Sequence, residues 1–375
     1  MTLVRFLWSP VLFLAALLAA CGSAAPGSAG ASASVSPAAA GSAPASPKPA
    51  GSASSPASAS PSVQGSAAPI APIKPGQIVT AYAEVVAANS PVWGAADAGL
   101  MQKRGLDTDM RLIESSLSVG ALISGQVQIA LVGGSESLAA AVQGGDLRVL
   151  GILTPVYPYK FEVPASIKTT SDLKGKKVGI SRFGSASDIA TRLGLRRVGL
   201  DPDKDVNIVQ VGSTQARTAA ILSGALDGGL AGVPDNLALE DRGFHALFDM
   251  AALELPAAIV GIVVTGPWLN VHRDEMQRYI DATVEAIARE KRDKAFTQDV
   301  FRKYLKLDDQ RLLDAAYDYT ILRVMPALPY AKPEQFKDTV DQLAEKNPKA
   351  RDYDLNKLID SSFIKSAADR GLDKS

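Results

Sequence analysis

The sequence predicts an α/β fold made of two like lobes, followed by a helical C-terminal region. Three observations carry this. Short apolar runs alternate with amphipathic helical stretches from Ile78 to Phe248. A Pro- and Tyr-rich crossing, Pro155 to Pro164, interrupts the alternation once, after which it resumes. One segment occurs twice: Ala121 to Gly133 reads ALISGQVQIALVG and Ala220 to Gly232 reads AILSGALDGGLAG, aligned without a gap. Such alternation implies largely parallel sheets covered on both faces.

A chain of 375 residues is long enough for two domains with cores of their own. Lys and Arg number 39, as do Asp and Glu, so the net charge is zero and the basic face of a nucleic-acid binder is not expected. One cysteine excludes an intramolecular disulfide and a Cys-based zinc site. His245 and His272 are far apart and fit no metal-ligand spacing. GxSxG, HExxH and P-loop motifs are absent. No catalytic residue, cofactor or metal is expected.

Residues 1–20 form a targeting segment. Arg5 supplies the positive start, and Val11 to Leu18 is an apolar run too short to span a membrane comfortably. It ends Leu18-Ala19-Ala20-Cys21 before Gly22, which resembles the bacterial lipoprotein box. That resemblance implies a lipidated Cys21 and a membrane anchor. Residues 21–75 are almost entirely Ala, Ser, Gly and Pro after Cys21, with too little apolar surface to offset chain entropy. A flexible tether of this length has a mean reach on the order of 40 Å.

The folded body begins near Gln77. Ile78 to Tyr82 predicts a strand, and Pro91 suits the first turn of a helix that stops at Gly105. A strand around Thr108 to Leu112, a helix from Ser115 or Ser116 to Ser124, and a strand from Ile129 to Val132 follow. Then come a helix from Glu136 to Gln143 and a strand from Leu147 to Leu153. Past the crossing, strands are expected near Val178, at Val206 to Val209, Gly228 to Ala231, Ala246 to Phe248 and Ala257 to Val264. From Pro267 the pattern changes to charged amphipathic helices: Arg273 to Lys291, Thr297 to Leu305, Asp308 to Val324 and Lys332 to Glu345.

Between Lys177 and Val198 a strand leads through Arg182-Phe183-Gly184-Ser185 into a helix. Ser185 sits in the N-cap position, with Asp188 three residues on. Either Ser185 simply caps that helix, or the helix start is open to an acceptor or anion. The duplicated turns place Gly134-Ser135-Glu136 on one lobe and Val233-Pro234-Asp235 on the other, with Ser115 and Thr214 aligned as helix N-caps. In open α/β sheets ligands sit beyond the carboxyl ends of strands, so two facing lobes predict a cleft there.

Several segments together resemble the substrate-binding proteins of ABC transporters for nitrate, sulfonates, taurine and thiamine-pyrimidine-type compounds. They are Ser90-Pro91-Val92-Trp93, Gly99-Leu100, Gly105-Leu106-Asp107, Leu122 to Ala130, Gly144 to Arg148, Asp172 to Gly179, Gly184-Ser185 and Gly199 to Val206. Met101 departs from the pattern, where an aromatic is usual. The resemblance implies a type 2 periplasmic binding protein with two Rossmann-like lobes, a hinge and C-terminal helices. Lobe 1 would be 77–162, continued by 263–372, and lobe 2 would be 166–260. It implies a monomer outside the cytoplasm that passes a small polar or anionic solute to an ABC permease. A sensor domain and a pyrimidine-making enzyme are the alternatives. The implied pocket holds Ser90, Trp93, Gly134, Ser135, Glu136, Gly184, Ser185, Ala186, Pro234 and Asp235. Ser90, Ser185 and the amides after Gly184 would donate to solute oxygens, and Trp93 would either wall the ligand or fill the core. Glu136 and Asp235 would favour an amine if both face the cleft, or complement their helix dipoles if they point to water.

Overall fold

The inner parallel strands of this chain are covered on both faces. In β1 (Gln77–Tyr82) four successive residues, Ile78, Val79, Thr80 and Ala81, are buried. The computed structural model describes residues 76–374, apart from the side chains of Ser115 and Ser116. The targeting segment, Cys21 and the linker lie outside the described residues. Among the described residues no helix is long and apolar enough to cross a membrane.

After β1 come α1 (Ser90–Asp97), α2 (Leu100–Lys103), β2 (Asp107–Leu112), α3 (Ser115–Ile123), β3 (Ile129–Val132), α4 (Gly134–Val142) and β4 (Leu147–Val156). The expected single helix up to Gly105 is broken by Gly99, whose φ of 69° starts a new turn. The second half runs β5 (Lys160–Pro164), β6 (Lys177–Ile180), α5 (Ala186–Arg197), β7 (Asn207–Gln210), α6 (Thr214–Leu222), β8 (Gly228–Ala231), α7 (Asp235–Glu240) and β9 (Phe244–Asp249). The chain then returns through β10 (Pro256–Thr265) to α8 (Gly266–Val271), α9 (Arg273–Arg292), α10 (Lys294–Leu305) and α11 (Gln310–Ala316). A π-helix (Tyr317–Val324), α12 (Lys337–Lys346) and α13 (Ser362–Asp369) complete it.

The strands form two five-stranded sheets of the same order, β2-β1-β3-β10-β4 and β7-β6-β8-β5-β9. Each sheet contains one antiparallel strand, and in each it is the strand that enters from the other lobe: β10 in the first, β5 in the second. Sheet membership therefore puts Lys160–Pro164 in the second lobe and Pro256–Thr265 in the first, a shift of a few residues from the expected boundaries. The two crossings run side by side. Pro256 pairs with Val156, Lys160 pairs with Asp249, and the Met250 amide donates to the Tyr159 carbonyl at 2.9 Å.

The duplicated segment is also duplicated in geometry. Gly125 and Gly224 have φ of 76° and 74°, a conformation that glycine adopts without a Cβ penalty. Ser124 and Ser223 donate to Ala121 and Ala220 carbonyls, both at 3.1 Å. Gln128 accepts from the Val79 amide and Asp227 from the Lys177 amide, both at 2.8 Å. Each side chain thereby ties the start of its third strand to the first strand of its own sheet.

The C-terminal helices pack mainly on the first lobe but reach the second. Tyr319 donates to Asp249 Oδ1 at 3.0 Å, Arg323 lies 3.0 Å from Asp249 Oδ2, and Arg311 pairs with Asp241. Lys291 supports the π-helix by donating to the Ile321 and Met325 carbonyls, both at 2.6 Å. On the other side α12 packs on α4 and touches α5.

Candidate functional site

The carboxyl ends of the parallel strands carry most of the expected pocket. Ser115 opens α3, Gly134-Ser135-Glu136 open α4, Ala186 opens α5 after Gly184 and Ser185, Thr214 opens α6 and Asp235 opens α7. Pro234 follows Val233 through a cis bond. Two of the expected caps differ by one residue: Ser213, not Thr214, caps α6 by accepting from the Ala216 amide, and Glu114 precedes α3 in the cap position.

Ser90 and Trp93 do not join this group, which corrects the expectation of Ser90 as a solute donor and puts Trp93 in the core, the second of its two expected fates. Both are 0% exposed. Ser90 Oγ donates to Glu290 Oε2 at 2.9 Å. Trp93 stacks on Tyr304 at 4.7 Å and meets the edge of Tyr82 at 5.4 Å. The reason is the close packing of α1 on α9. A Cβ on Gly94 would stand 2.7 Å from Glu290 Oε1, so glycine is needed for this approach. Burial pushes the Glu290 carboxyl up to about 8, with Ser90 and Lys291 pulling the other way.

The turn at Gly184 forms as expected but is already occupied. Ser185 Oγ accepts from the Asp188 amide and contacts Ser187 Oγ at 2.9 Å. The Gly184 amide donates to Asp188 Oδ2 at 2.8 Å, and Arg192 Nε donates to Asp188 Oδ1 at 2.7 Å. Of the amides after Gly184 that were expected to meet a solute, Ser185's donates to the Arg182 carbonyl and Asp188's to Ser185 Oγ. Lys346 stands at the rim of this turn, 3.3 Å from where a Gly184 Cβ would be.

Tyr159, on the first crossing, feels charged groups of both lobes. It lies 3.7 Å from the Cβ position of Gly232, at the end of β8. Burial pushes its hydroxyl up to about 12, helped by Glu84 and Glu136 of the first lobe and opposed by Arg217 of the second. Glu84, just past β1, is raised by burial and by the Glu136 charge. Glu136 accepts from Ser135 Oγ at 2.6 Å. Asp235 is raised by burial, against the pull of Arg217.

Arg217 is the residue the sequence did not reveal. It is 2% exposed, on the first turns of α6. Its shaft lies over Gly179 and Gly229, 3.2 Å from the Cβ position of each. Nε donates to the Leu230 carbonyl at 2.7 Å and Nη1 to Ser181 Oγ at 3.1 Å. Among the described residues no carboxylate is within ion-pair distance. Burial lowers its pKa, with Tyr159 and Asp235 acting to raise it. The only available signal was a lone cation in a helix otherwise rich in Ala, Ile and Leu.

Beside this cluster, a cavity of about 300 Å³ separates α7 from the α11 and π-helix region. Lys160, Val233, Asn236, Asp318, Tyr319 and Arg323 are among its walls. Glu162, 0% exposed, has no partner for either carboxyl oxygen among the described residues, and burial pushes it up to about 7, with Glu240 adding and Lys160 opposing.

The fold has many solved relatives. The periplasmic aliphatic sulphonate binding protein SsuA from Escherichia coli aligns with a TM-score of 0.61 at 20% identity, over 73% of this chain and 88% of that one. The periplasmic nitrate-binding protein NrtA from Synechocystis PCC 6803 aligns with a TM-score of 0.59 at 13% identity, over 79% and 89%. A cysteine-to-serine mutant of DszB in complex with biphenyl-2-sulfinic acid aligns with a TM-score of 0.58 at 16% identity, over 78% and 99%. No curated protein matches the sequence. The two lobes are those of the periplasmic binding protein fold. Residues 88–289, more than half of the chain, match the NMT1/THI5-like family model, and the chain belongs to that family.

Proposed function

We propose that the chain is the solute-binding component of an ABC importer, held outside the cytoplasm by a lipid on Cys21. The observation that supports this is a pair of like-ordered five-stranded sheets joined by two adjacent crossings, with Tyr159 on the first crossing beside Gly232 at the end of β8. Paired crossings of this kind are where relative lobe motion opens or shuts a gap. Relatives of the same fold are named for binding sulphonate and nitrate, so a small polar solute is the expected cargo. The linker gives the body room to move between solute capture and a permease in the same membrane.

Binding rather than catalysis is favoured by the groups present. The chain's one cysteine is Cys21, so the body has no thiol nucleophile. His245 lies on β9 of the second lobe, while His272 joins α8 to α9 in the first, engaged with Glu275 and stacked on Trp268 at 4.8 Å. The test is thermal unfolding of the purified chain with a panel of small amines, zwitterions, sulfonates and nitrate. At least one should raise the melting temperature in a concentration-dependent way. No stabilisation, together with covalent conversion of a panel member, would overturn the reading.

A further inference from the structure

We propose that Arg217 anchors the solute: the open edge of its guanidinium receives an oxyanion group, between β6 and β8, where the strand order of the second sheet reverses. This rests on the solute-binding reading above and deepens it by naming the residue and the group it takes.

The place comes first. In the order β7-β6-β8-β5-β9 the chain steps from β6 out to β7 and then crosses back over β6 to β8. In an open α/β sheet a ligand lies outside the carboxyl ends of the strands at such a reversal. Arg217 reaches that spot by running along the two strands. Gly179 of β6 and Gly229 of β8 pair in register, and the shaft lies 3.2 Å from the Cβ position of each. One residue further along β8, Nε donates to the Leu230 carbonyl at 2.7 Å. Just past the end of β6, Nη1 donates to Ser181 Oγ at 3.1 Å. The head group therefore emerges at the carboxyl ends. Tyr159 stands at the same end of the sheet, its ring 3.7 Å from the Cβ position of Gly232, the residue after β8.

The chemistry comes second. Arg217 is 2% exposed, and among the described residues no carboxylate is within ion-pair distance of it. Asp235, at the start of α7, acts on it only from farther off. A guanidinium cannot shed its charge and offers donors alone. A buried charge without a counter-charge is costly, and an anion brought by the solute removes that cost. Nη2 has no partner among the described residues, yet it is not shut off from solvent. In the first lobe the matching residue is Ser118, whose hydroxyl already donates to the Ile113 carbonyl. The oxyanion end of the solute therefore faces the second lobe. Carboxylate, sulfonate and nitrate share the acceptor geometry that a guanidinium fork matches.

The experiment is calorimetric titration of the purified chain in low-salt Tris buffer. The oxyanion probes are propionate, 4-aminobutyrate, ethanesulfonate and nitrate; the neutral ones are propionamide and ethyl methyl sulfone. At least one oxyanion should bind, its identity naming the class, and the neutral probes should not. Arg217→Lys keeps the charge and loses the fork, and should weaken that oxyanion at least tenfold. A co-crystal of the unaltered chain supplies a readout that needs no variant to fold: an oxygen of the probe should lie within hydrogen-bond distance of Nη2. Unchanged affinity in Arg217→Lys, neutral probes binding as tightly as the anion, or a probe seated at the start of α5 would each overturn the inference and leave the solute-binding reading intact. Binding confined to amines without an oxyanion group would do the same. Binding of nothing at all would count against the solute-binding reading itself, and the inference would fall with it.

Discussion

In the first lobe the helix after the second strand buries Ser118, which donates to the Ile113 carbonyl. In the second lobe the residue at the same place in the duplicated helix is Arg217, buried as deeply but far larger. The sheet beneath has changed to admit it. Ala130 of β3 is matched by Gly229 of β8, over which the arginine shaft lies. The turns, sheet order and strand ties are alike in the two lobes, so the frame constrains the backbone and leaves the cleft-end side chains free to diverge. The side chains at this place are asymmetric for that reason: a serine in one lobe, a guanidinium in the other.

The largest effect expected from breaking this comparison is at Arg217. Arg217→Ala removes two buried hydrogen bonds and the filling over two glycines, and should lower stability by about 3 kcal/mol in denaturant unfolding. Ser118→Ala removes one hydrogen bond and should cost only about 1 kcal/mol. Equal losses at the two positions would refute the claim that the lobes are built differently there.

Each lobe also keeps one acid at 0% exposure, Glu290 in the first and Glu162 in the second, with carboxyls raised to about 8 and about 7 from an ordinary value of 4.5. A raised folded-state pKa means that the folded chain holds the proton more tightly than the unfolded one. The stabilisation is complete below the unfolded value and is lost as pH rises through the folded one. Stability should therefore fall between pH 4.5 and pH 8, by at most about 1.4 kcal/mol per pH unit for each acid. Glu290→Gln should remove its share of the fall over the whole range and leave it flat above about pH 7, whereas Glu162→Gln should remove its share only up to about pH 7. Unfolding titrations across that range decide it, and a wild-type profile that rises with pH would contradict the assignment.

The smallest effect is at the bridge from the C-terminal helices to the second lobe. Asp249→Asn weakens the contacts with Tyr319 and Arg323. Because the Arg323 side chain is 49% exposed, the loss should be about 1 kcal/mol or less. Chemical unfolding of this variant measures it; a loss as large as that of Arg217→Ala would mean the bridge is a main support.

What could be read from the sequence was what depends on neighbours in the chain. The Ser-Gly turns before β3 and β8, and the Ser185–Asp188 cap, each lie within a few residues and were legible. The strand β5 was not, because Glu162 stands at its centre between flanking prolines, and a lone acid in a short run argues against a buried strand. Ser90 was assigned to the pocket because its fate depends on Glu290, 200 residues away. Arg217 was missed for the same reason: its burial depends on Gly179 and Gly229, which belong to other elements.

The most direct test of two lobes shutting on a solute is small-angle X-ray scattering of the chain with and without a saturating amount of the probe that binds best. The account predicts a smaller radius of gyration on binding, and the same change should be absent in Arg217→Ala. An unchanged radius at full occupancy would contradict it.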